Sequence, residues 1–185
     1  MKRQLLIFSI LLFTFFIANA QSDYIVTLKG DTVLGEIRSK NNDWVKFKEN
    51  RQSKFIKLPS SGIQSVYVLI YDEYFAYKVV IDGGKLLLLQ RLDNGLIKLY
   101  DLTTYSYSKY GSSKYVKWYA EKEDSPLVEI KTNSFFGSKE ARKNAFVSLI
   151  SDQPSIVDIF NKEEKFNFKF IQGLIQQYNS LAQSQ

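Results

Sequence analysis

Short runs of alternating apolar and polar residues, separated by turn-forming segments, fill the chain from about residue 23 to residue 132. The clearest separators are Lys29-Gly30-Asp31-Thr32, Asp82-Gly83-Gly84 and Asp93-Asn94-Gly95. Glycine and asparagine at such positions can take the positive φ that a tight hairpin requires. A helical period of 3.6 residues is not sustained beyond two turns in this stretch. The pattern therefore predicts an antiparallel β meander or a small barrel-like sheet.

Ten strands are predicted from these runs, at residues 24–28, 33–38, 44–48, 54–58, 63–69, 73–81, 85–91, 96–101, 115–120 and 127–131. In the third strand, Trp44 and Lys46 are expected to face inward and Val45 outward. Residues 86–89 do not alternate, so the seventh strand is expected to be central, with both of its faces covered. Residues 102–114, rich in Thr, Ser, Tyr and Gly, are expected to form a loop or an irregular edge strand.

The hydrophobic period changes after residue 133. Ser138 is expected to cap a first helix, Pro154 to occupy the first turn of a second, and Asn167 to cap a third. The third helix carries an apolar stripe at spacings of three and four residues, and the open face of the sheet is its expected partner. Gly173 lies inside this helix, where close packing of the helix on the sheet would explain it.

Together these patterns predict an α+β fold, in which an antiparallel β meander or small barrel-like sheet is followed by C-terminal helices packed on it. The β-rich region is expected at residues 21–132. The helical region is expected at residues 133–185 and is taken to belong to the same domain.

Residues 1–20 have the three-part form of a secretory signal peptide. A positive start is followed by an apolar run at residues 5–17 and by the small residues Ala18-Asn19-Ala20. Cleavage is expected between Ala20 and Gln21. The alternative, a transmembrane anchor, requires about 20 apolar residues, and this run is shorter. No cysteine follows it that a lipoprotein anchor could acylate.

We therefore expect the chain to be secreted across the inner membrane, into the periplasm or to the cell surface. The mature chain is expected to have no transmembrane helix. Cleavage would remove two basic residues, leaving 23 basic and 19 acidic ones, so the charge of +6 would become +4.

Two missing residue types exclude several classes of site. The chain has no Cys and no His, so it can form neither a disulfide nor a thiolate site, and it lacks the usual general base of serine and cysteine nucleophiles. Zinc and copper lose their common ligands as well. The glycines do not occur in a phosphate-binding spacing, and there is no calcium-binding loop of the EF-hand kind. We predict no metal, no cofactor and no nucleotide.

A basic segment at residues 38–57 has a net charge of +5 and contains interleaved aromatic residues. It could hold an anionic polymer such as lipopolysaccharide, a charged glycan or extracellular nucleic acid. The favoured interpretation is a solvated sheet face whose lysines protect edge strands. The absence of a recognisable nucleic-acid module argues against nucleic acid. The candidate binding residues are Arg38, Trp44, Lys46, Lys48, Arg51 and Lys54.

Tyrosines are concentrated between residues 100 and 119. Their flat amphipathic rings can stack on sugars or anchor a protein interface at low entropic cost. Tyrosine is also a good strand residue, so core positions are the alternative for several of them. The candidate binding residues here are Tyr105, Tyr107, Tyr110 and Trp118.

Carboxylate pairs offer a third kind of site, because glycoside hydrolysis needs neither His nor Cys. Asp72, Glu73 and Asp101 fall near the ends of predicted strands. Two acids must face each other across a substrate, however, and no motif indicates such a pair. No catalytic residue is therefore assigned.

The stretch from Tyr24 to Ile37 resembles a family of uncharacterised secreted proteins common in the Bacteroidota. These proteins carry a signal peptide followed by a hairpin of the form Y-I-V-T-x-x-G-D-T-x-x-G-x-I, which this chain matches. Looser similarity continues at residues 77–83, at 96–100 and at Tyr178-Asn179. The resemblance implies the cell envelope of a bacterium with an outer membrane, and it brings no activity to transfer. In the hairpin itself, Gly30 is expected to take positive φ and Gly35 to mark a bend or bulge.

The leading functional hypothesis is an exported, non-catalytic cell-envelope protein that binds an unknown envelope protein or an anionic or glycan surface polymer. One alternative is a small carboxylate-dependent glycan hydrolase. Another is a subunit of an envelope assembly, which would expose an apolar patch larger than a few hundred Å².

Overall fold

The computed structural model describes residues 22–49, 54–80, 84–123 and 125–183, and within these ranges ten strands form one antiparallel sheet followed by three helices. The predicted α+β fold is confirmed, and each predicted strand and helix is present. The signal peptide and the Ala20–Gln21 cleavage site lie outside the described residues. The strands are β1 (Asp23–Thr27), β2 (Thr32–Lys40), β3 (Trp44–Glu49), β4 (Ile56–Pro59), β5 (Ile63–Val68), β6 (Glu73–Val80), β7 (Lys85–Asn94), β8 (Ile97–Ser108), β9 (Gly111–Lys122) and β10 (Val128–Thr132). The helices are α1 (Lys139–Ile150), α2 (Pro154–Lys162) and α3 (Phe168–Gln183).

The first five strands curl back on themselves. Their order in the sheet is β5-β1-β2-β3-β4, although a single short 3-10 turn, Ser60–Gly62, joins β4 to β5. Four strand spacings span about 19 Å in a flat sheet. The connection reaches about 14 Å at most, so the sheet must bend until its β4 edge approaches β5. Backbone bonds from Leu28 N to Gly62 O (3.2 Å) and from Ser60 N to Asp43 O (2.9 Å) hold this curled end.

The interior of the curled end reverses the prediction for β3. Val45 and Phe47 are buried in it, whereas Trp44 and Lys46 lie half-buried on the outer face. The prediction placed Trp44 inside, and because side chains alternate with a period of two, that error inverts the whole strand. We call this interior the curled-end core; its buried members are Ile25, Val45, Phe47, Ile63, Val66 and Tyr77.

The other end of the sheet is covered by the helices. Ser138 Oγ accepts a hydrogen bond from Ala141 N (3.1 Å), and Asn167 Oδ1 accepts one from Phe170 N (2.9 Å), so both predicted caps are present. The apolar stripe of α3 packs as expected on β8 and β9. We call this second interior the helix core; it includes Ile97, Leu99, Ala120, Ile130, Phe146, Ile150, Ile171, Ile175 and Tyr178.

A single side chain ties α3 to the sheet. Asn179 is buried, its Oδ1 accepts from Ile97 N (2.8 Å), and its Nδ2 donates to Ile97 O (2.9 Å) and to Asp93 Oδ1 (2.6 Å). Gly95 lies against this side chain so closely that a Cβ on Gly95 would overlap it. The expectation of close packing at Gly173 is wrong, because a Cβ there would have no neighbour within 4 Å. Gly95 was expected to take positive φ, but it does not. Its lack of a side chain instead makes room for Asn179.

Candidate binding surface

Residues 102–116 form a two-stranded ribbon that leaves the sheet, and we call it the arm. β8 pairs with β7 only up to Asp101, and β9 pairs with β10 only from Lys117 onward. Between those limits β8 and β9 pair continuously with each other. Gly111, with φ of 131°, closes the turn at the tip. The expectation of a loop or an irregular edge strand is therefore wrong, since this segment is a regular hairpin.

The arm carries the exposed tyrosines. Tyr105, Tyr107 and Tyr110 are 56%, 79% and 87% exposed, and the rings of Tyr105 and Tyr107 stack at 6.4 Å between centroids. Tyr115 is exposed as well. The only charged residues of the arm are the cations Lys109 and Lys114. Three of the four binding residues predicted in the tyrosine-rich region are thus brought together on one projecting, weakly basic element.

Trp118, the fourth, lies at the base of the arm and is buried. Its Nε1 donates to Asp101 Oδ1 (3.0 Å), and its ring meets Phe168 of α3 edge-on at 4.8 Å. Beside it a groove of about 500 Å³ runs between the arm and α3, bordered by Tyr105 and Lys114. The placement gives Trp118 a packing role, and a binding role for it stays a prediction.

The basic segment forms the outer face of β2, β3 and β4, where cations and aromatic rings pair with one another. Lys57 Nζ lies 4.5 Å from the ring centroid of Trp44, and Lys48 Nζ lies 4.9 Å from that of Phe55. The Arg38 guanidinium is 5.7 Å from the same Phe55 ring, and Lys48 also forms an ion pair with Glu36 (2.5 Å). Trp44 and Phe55 therefore each have a cation over the ring, which leaves less aromatic surface for a ligand.

The remaining basic candidates are less organised. Lys54 is exposed just before β4, and Lys46 stands directly across from Lys57 on the neighbouring strand. Arg51 lies outside the described residues. This arrangement agrees with a solvated sheet face more than with a built ligand site.

The three acids considered for hydrolysis each have a different hydrogen-bond partner. Asp72 accepts from the Tyr67 hydroxyl (2.8 Å), and Glu73 accepts from Gln90 Nε2 (3.2 Å). Asp101 accepts from Thr103 Oγ1 (2.8 Å) as well as from the indole described above. Each acid thus has a local structural role. Within the described ranges, no three His, Cys, Asp or Glu side chains are grouped so that they could hold a metal ion.

Sequence reasoning missed a buried polar cluster on the sheet face opposite the helices. Glu121 is 7% exposed and accepts from Lys78 Nζ (2.7 Å) and from the Tyr100 hydroxyl (2.8 Å), while Lys98 Nζ lies 4.0 Å away. Burial and then the hydrogen bond to Glu121 raise the pKa of Tyr100 well above its ordinary value, so the phenol stays protonated and donates. Lys78 and Glu121 are 43 residues apart, and no local pattern could have joined them.

A second surface that was missed is the segment Asn133–Ser138 between β10 and α1, which we call the Phe loop. Phe135 is fully exposed and Phe136 is 85% exposed. Two adjacent phenylalanines between Asn-Ser and Gly-Ser were a visible signal, because large apolar residues are rare in turn-forming segments. The Phe loop joins the arm directly, since Asn133 Nδ2 donates to Lys114 O (2.9 Å).

The comparisons add no relative to these observations: no protein-family model, curated protein or solved structure matches the chain. None of the helices in the described ranges has both the length and the apolar character needed to cross a membrane.

Proposed function

We propose that this chain is an exported, non-catalytic protein of the bacterial cell envelope that binds a partner protein through the arm. The signal-like residues 1–20 support export. The single observation that carries the binding role is the arm itself, a hairpin paired only with itself that exposes four tyrosines.

The fold does not require the arm's tyrosines. The tyrosines of the core, such as Tyr100 and Tyr178, are buried and hydrogen-bonded, whereas those of the arm contact the core little. Apolar surface that stays exposed to water and does not stabilise the fold indicates an intermolecular role. Binding is the use that accounts for this exposure.

The composition of the arm favours a protein partner. Residues 102–116 consist of Tyr, Ser, Thr, Lys and Gly apart from one Leu and one Val. Tyrosine offers a large rigid contact area, and serine and glycine offer adaptable hydrogen bonding, which is the combination found in antibody binding loops. The β8 edge of the hairpin also projects beyond β7, so its backbone groups are available for strand addition. On the β9 edge, Asn133 bonds both backbone groups of Val116 and the carbonyl of Lys114.

The test compares two variants of residues 21–185, which contain the whole described fold. The arm variant is Tyr105→Ser/Tyr107→Ser/Tyr110→Ser. The matched control is Ile70→Ser/Tyr71→Ser, which removes two exposed apolar side chains from the 3-10 turn after β5. A tagged chain is used to capture proteins from detergent-solubilised envelope of its own host, and the captured protein is purified and titrated.

We expect one stoichiometric partner for the wild type and for the control. The arm variant should bind the purified partner at least tenfold more weakly, because two or three tyrosine anchors each contribute more than about 1 kcal/mol. Equal affinity of the arm variant and the wild type would overturn the proposal. So would the absence of any saturable partner of the wild-type chain.

A further inference from the structure

The Phe loop presents two phenylalanine side chains to solvent side by side. Phe135 and Phe136 have the two most exposed positions of any phenylalanine among the described residues. Scattered single apolar residues are ordinary on a protein surface, but adjacent, fully exposed rings are not.

The backbone of the Phe loop is fixed, so this exposure is built into the fold. The side-chain amide of Asn133 forms two hydrogen bonds to β9. Its Oδ1 accepts from Val116 N (2.8 Å), and its Nδ2 donates to Lys114 O (2.9 Å). Arg142 Nη1 donates to Phe136 O (3.3 Å) from the first turns of α1. Gly137 leaves the loop with φ of 81°, a conformation that favours glycine. Hydrogen bonds at both ends thus hold the loop in the conformation that exposes its phenylalanines.

Cations lie on the segments that flank the Phe loop in the chain and in the sheet. Lys131 lies on β10 with its Nζ 4.8 Å from the ring centroid of Phe166, and burial and then the positive charges of Lys139 and Arg142 lower its pKa. Lys114 is bonded to the loop through its carbonyl, and Lys143 follows on α1. Acidic groups are fewer here: Glu129 is paired with Arg142 (3.3 Å) and Lys117 (3.0 Å), and Glu140 stands in the first turn of α1. On these flanking segments the basic side chains therefore outnumber the acidic ones.

We propose that the Phe loop docks this protein on an anionic lipid bilayer, with Phe135 and Phe136 entering the interface and the flanking lysines contacting lipid headgroups. Aromatic rings with adjacent cations are the combination by which peripheral proteins hold an anionic membrane surface. The excess of basic side chains complements such a surface, and a flat bilayer needs no preformed pocket. This inference goes beyond the binding role of the arm, because Phe135 and Phe136 lie outside the arm and the partner is of a different kind. Lys114 alone belongs to both surfaces.

Co-sedimentation with vesicles tests the proposal. Residues 21–185 are mixed with vesicles of phosphatidylcholine alone, or of phosphatidylcholine and phosphatidylglycerol in equal parts, and partition coefficients are measured. The variants are Phe135→Ser/Phe136→Ser, the aromatic replacement Phe135→Trp/Phe136→Trp, and Lys114→Gln/Lys139→Gln. The control Ile70→Ser/Tyr71→Ser removes exposed apolar residues elsewhere, and circular dichroism checks that each variant is folded.

The wild type, the control and the tryptophan variant should bind the anionic vesicles, and bind phosphatidylcholine much more weakly. The serine variant should lose at least about tenfold in partitioning. Neutralising each of the two lysines should lower the partition coefficient about fivefold, and added salt should weaken binding of the wild type to anionic vesicles.

Two results would overturn the proposal. One is a folded serine variant that binds anionic vesicles as well as the wild type does. The other is a wild-type chain that does not bind them. If the serine variant instead lost the captured partner protein while vesicle binding was unchanged, the Phe loop would belong to a protein interface. Because the arm variant leaves both phenylalanines in place, failure here leaves the proposed function of the arm standing.

Discussion

Asn179 and Gly95 act as one unit, in which a side chain on the last helix occupies space that a missing side chain on the sheet leaves free. Three hydrogen bonds from one buried amide reach across more than 80 residues of sequence. The bonds satisfy both backbone groups of Ile97 where β8 begins. Close approach, and not turn geometry, is what demands glycine at position 95.

A double-mutant cycle tests this unit. Gly95→Ala should destabilise the chain because its methyl group meets the Asn179 side chain, and Asn179→Ala should cost about 2–3 kcal/mol for the buried bonds it removes. With Asn179 already truncated, Gly95→Ala should cost far less, giving a coupling energy of about 1–3 kcal/mol in urea denaturation. Simple additivity of the two changes would contradict the arrangement. Gly173→Ala is the matched control, and it should stabilise by up to about 1 kcal/mol because helix propensity alone changes.

Ser65 shows the opposite situation, since its buried hydroxyl has no hydrogen-bond partner among the described residues. Ser65→Ala should therefore leave the free energy of unfolding unchanged or raise it by about 1 kcal/mol. The comparison is Thr132→Val, which removes a buried hydroxyl that is bonded to Val116 O (2.9 Å) and to Ser134 N (3.0 Å). That change should cost about 1–2 kcal/mol in the same denaturation assay. An equal loss for both variants would show that Ser65 is bonded after all.

At the scale of elements, local signals predicted where the strands and helices lie in the chain. They did not predict which face of a strand is buried or how far β8 and β9 extend. Turn glycines and capping residues act on backbone groups only a few positions away in the chain. All ten strands and the caps at Ser138 and Asn167 were therefore predictable from local sequence. In β3, large apolar side chains occur on both faces, so alternation alone could not decide whether Trp44 or Val45 faced inward. The arm buries little, and the hydrophobic pattern that marks other strands is therefore absent from it.

The candidate surfaces follow the same rule. Tyr105, Tyr107 and Tyr110 lie together because they are neighbours on one hairpin, and the sequence could place them together. The cluster around Glu121 joins β6, β8 and β9, and only the folded sheet brings those residues into contact. Paired long-range contacts of this kind leave no local period in a sequence.

Asp152 lies at the junction between α1 and α2 and connects it to β9 and α3. Its carboxylate forms an ion pair with Lys122 of β9 (2.8 Å) and accepts a hydrogen bond from the Tyr178 hydroxyl of α3 (2.8 Å). Burial acts to raise the pKa of Asp152, but the hydrogen bonds from Lys122 and Tyr178 outweigh it and hold the pKa below its ordinary value of 3.8. A carboxyl whose pKa is lower in the folded chain contributes stability above its unfolded pKa. That contribution is lost as pH falls through the folded pKa.

Asp152→Asn should therefore destabilise the chain at neutral pH by about 1 kcal/mol or less, since the carboxyl is half exposed and water screens the pair. The difference from the wild type should stay constant from about pH 7 to pH 5 and shrink below about pH 4. Urea denaturation across this range measures it, with Asp158→Asn on the exposed side of α2 as the control. A difference that persists undiminished at the acid end would refute the assignment.

At the scale of the whole molecule, β7 contributes a leucine to each of the three hydrophobic clusters. Leu88 packs against the curled-end core, and Leu92 packs against the helix core. Leu89 is buried in a third cluster on the opposite face, together with Tyr100 and Tyr119. The strand is central in the sheet, as expected, but among Leu86–Leu89 only Leu89 is buried and the other three leucines are half-buried. The curled strands and the helices both pack against this strand.

Further bonds connect the curled end to β6 and β7. The Tyr77 hydroxyl donates to Asn41 O (2.7 Å), and Leu88 N donates to Asn42 Oδ1 (2.9 Å), so the β2–β3 turn is fastened to the middle of the sheet. The curled-end core and the helix core contact the same face of β7, so loss of either interior would expose part of that face. We therefore expect the curled end and the helix-covered end to unfold together.

The two tryptophans of the chain provide a probe for each end, since Trp44 lies on β3 of the curled end and Trp118 in the helix core. Trp118→Phe leaves emission from Trp44 alone, and Trp44→Phe leaves emission from Trp118 alone. Within each variant, the urea transition followed by fluorescence should coincide with that followed by far-ultraviolet circular dichroism, because one shared strand makes unfolding cooperative. Trp118→Phe also loses the bond to Asp101 and should be less stable, but the comparison is internal to each variant. A Trp44 transition that precedes the dichroism transition would show that the curled end is an independent unit and that β7 does not couple the two ends.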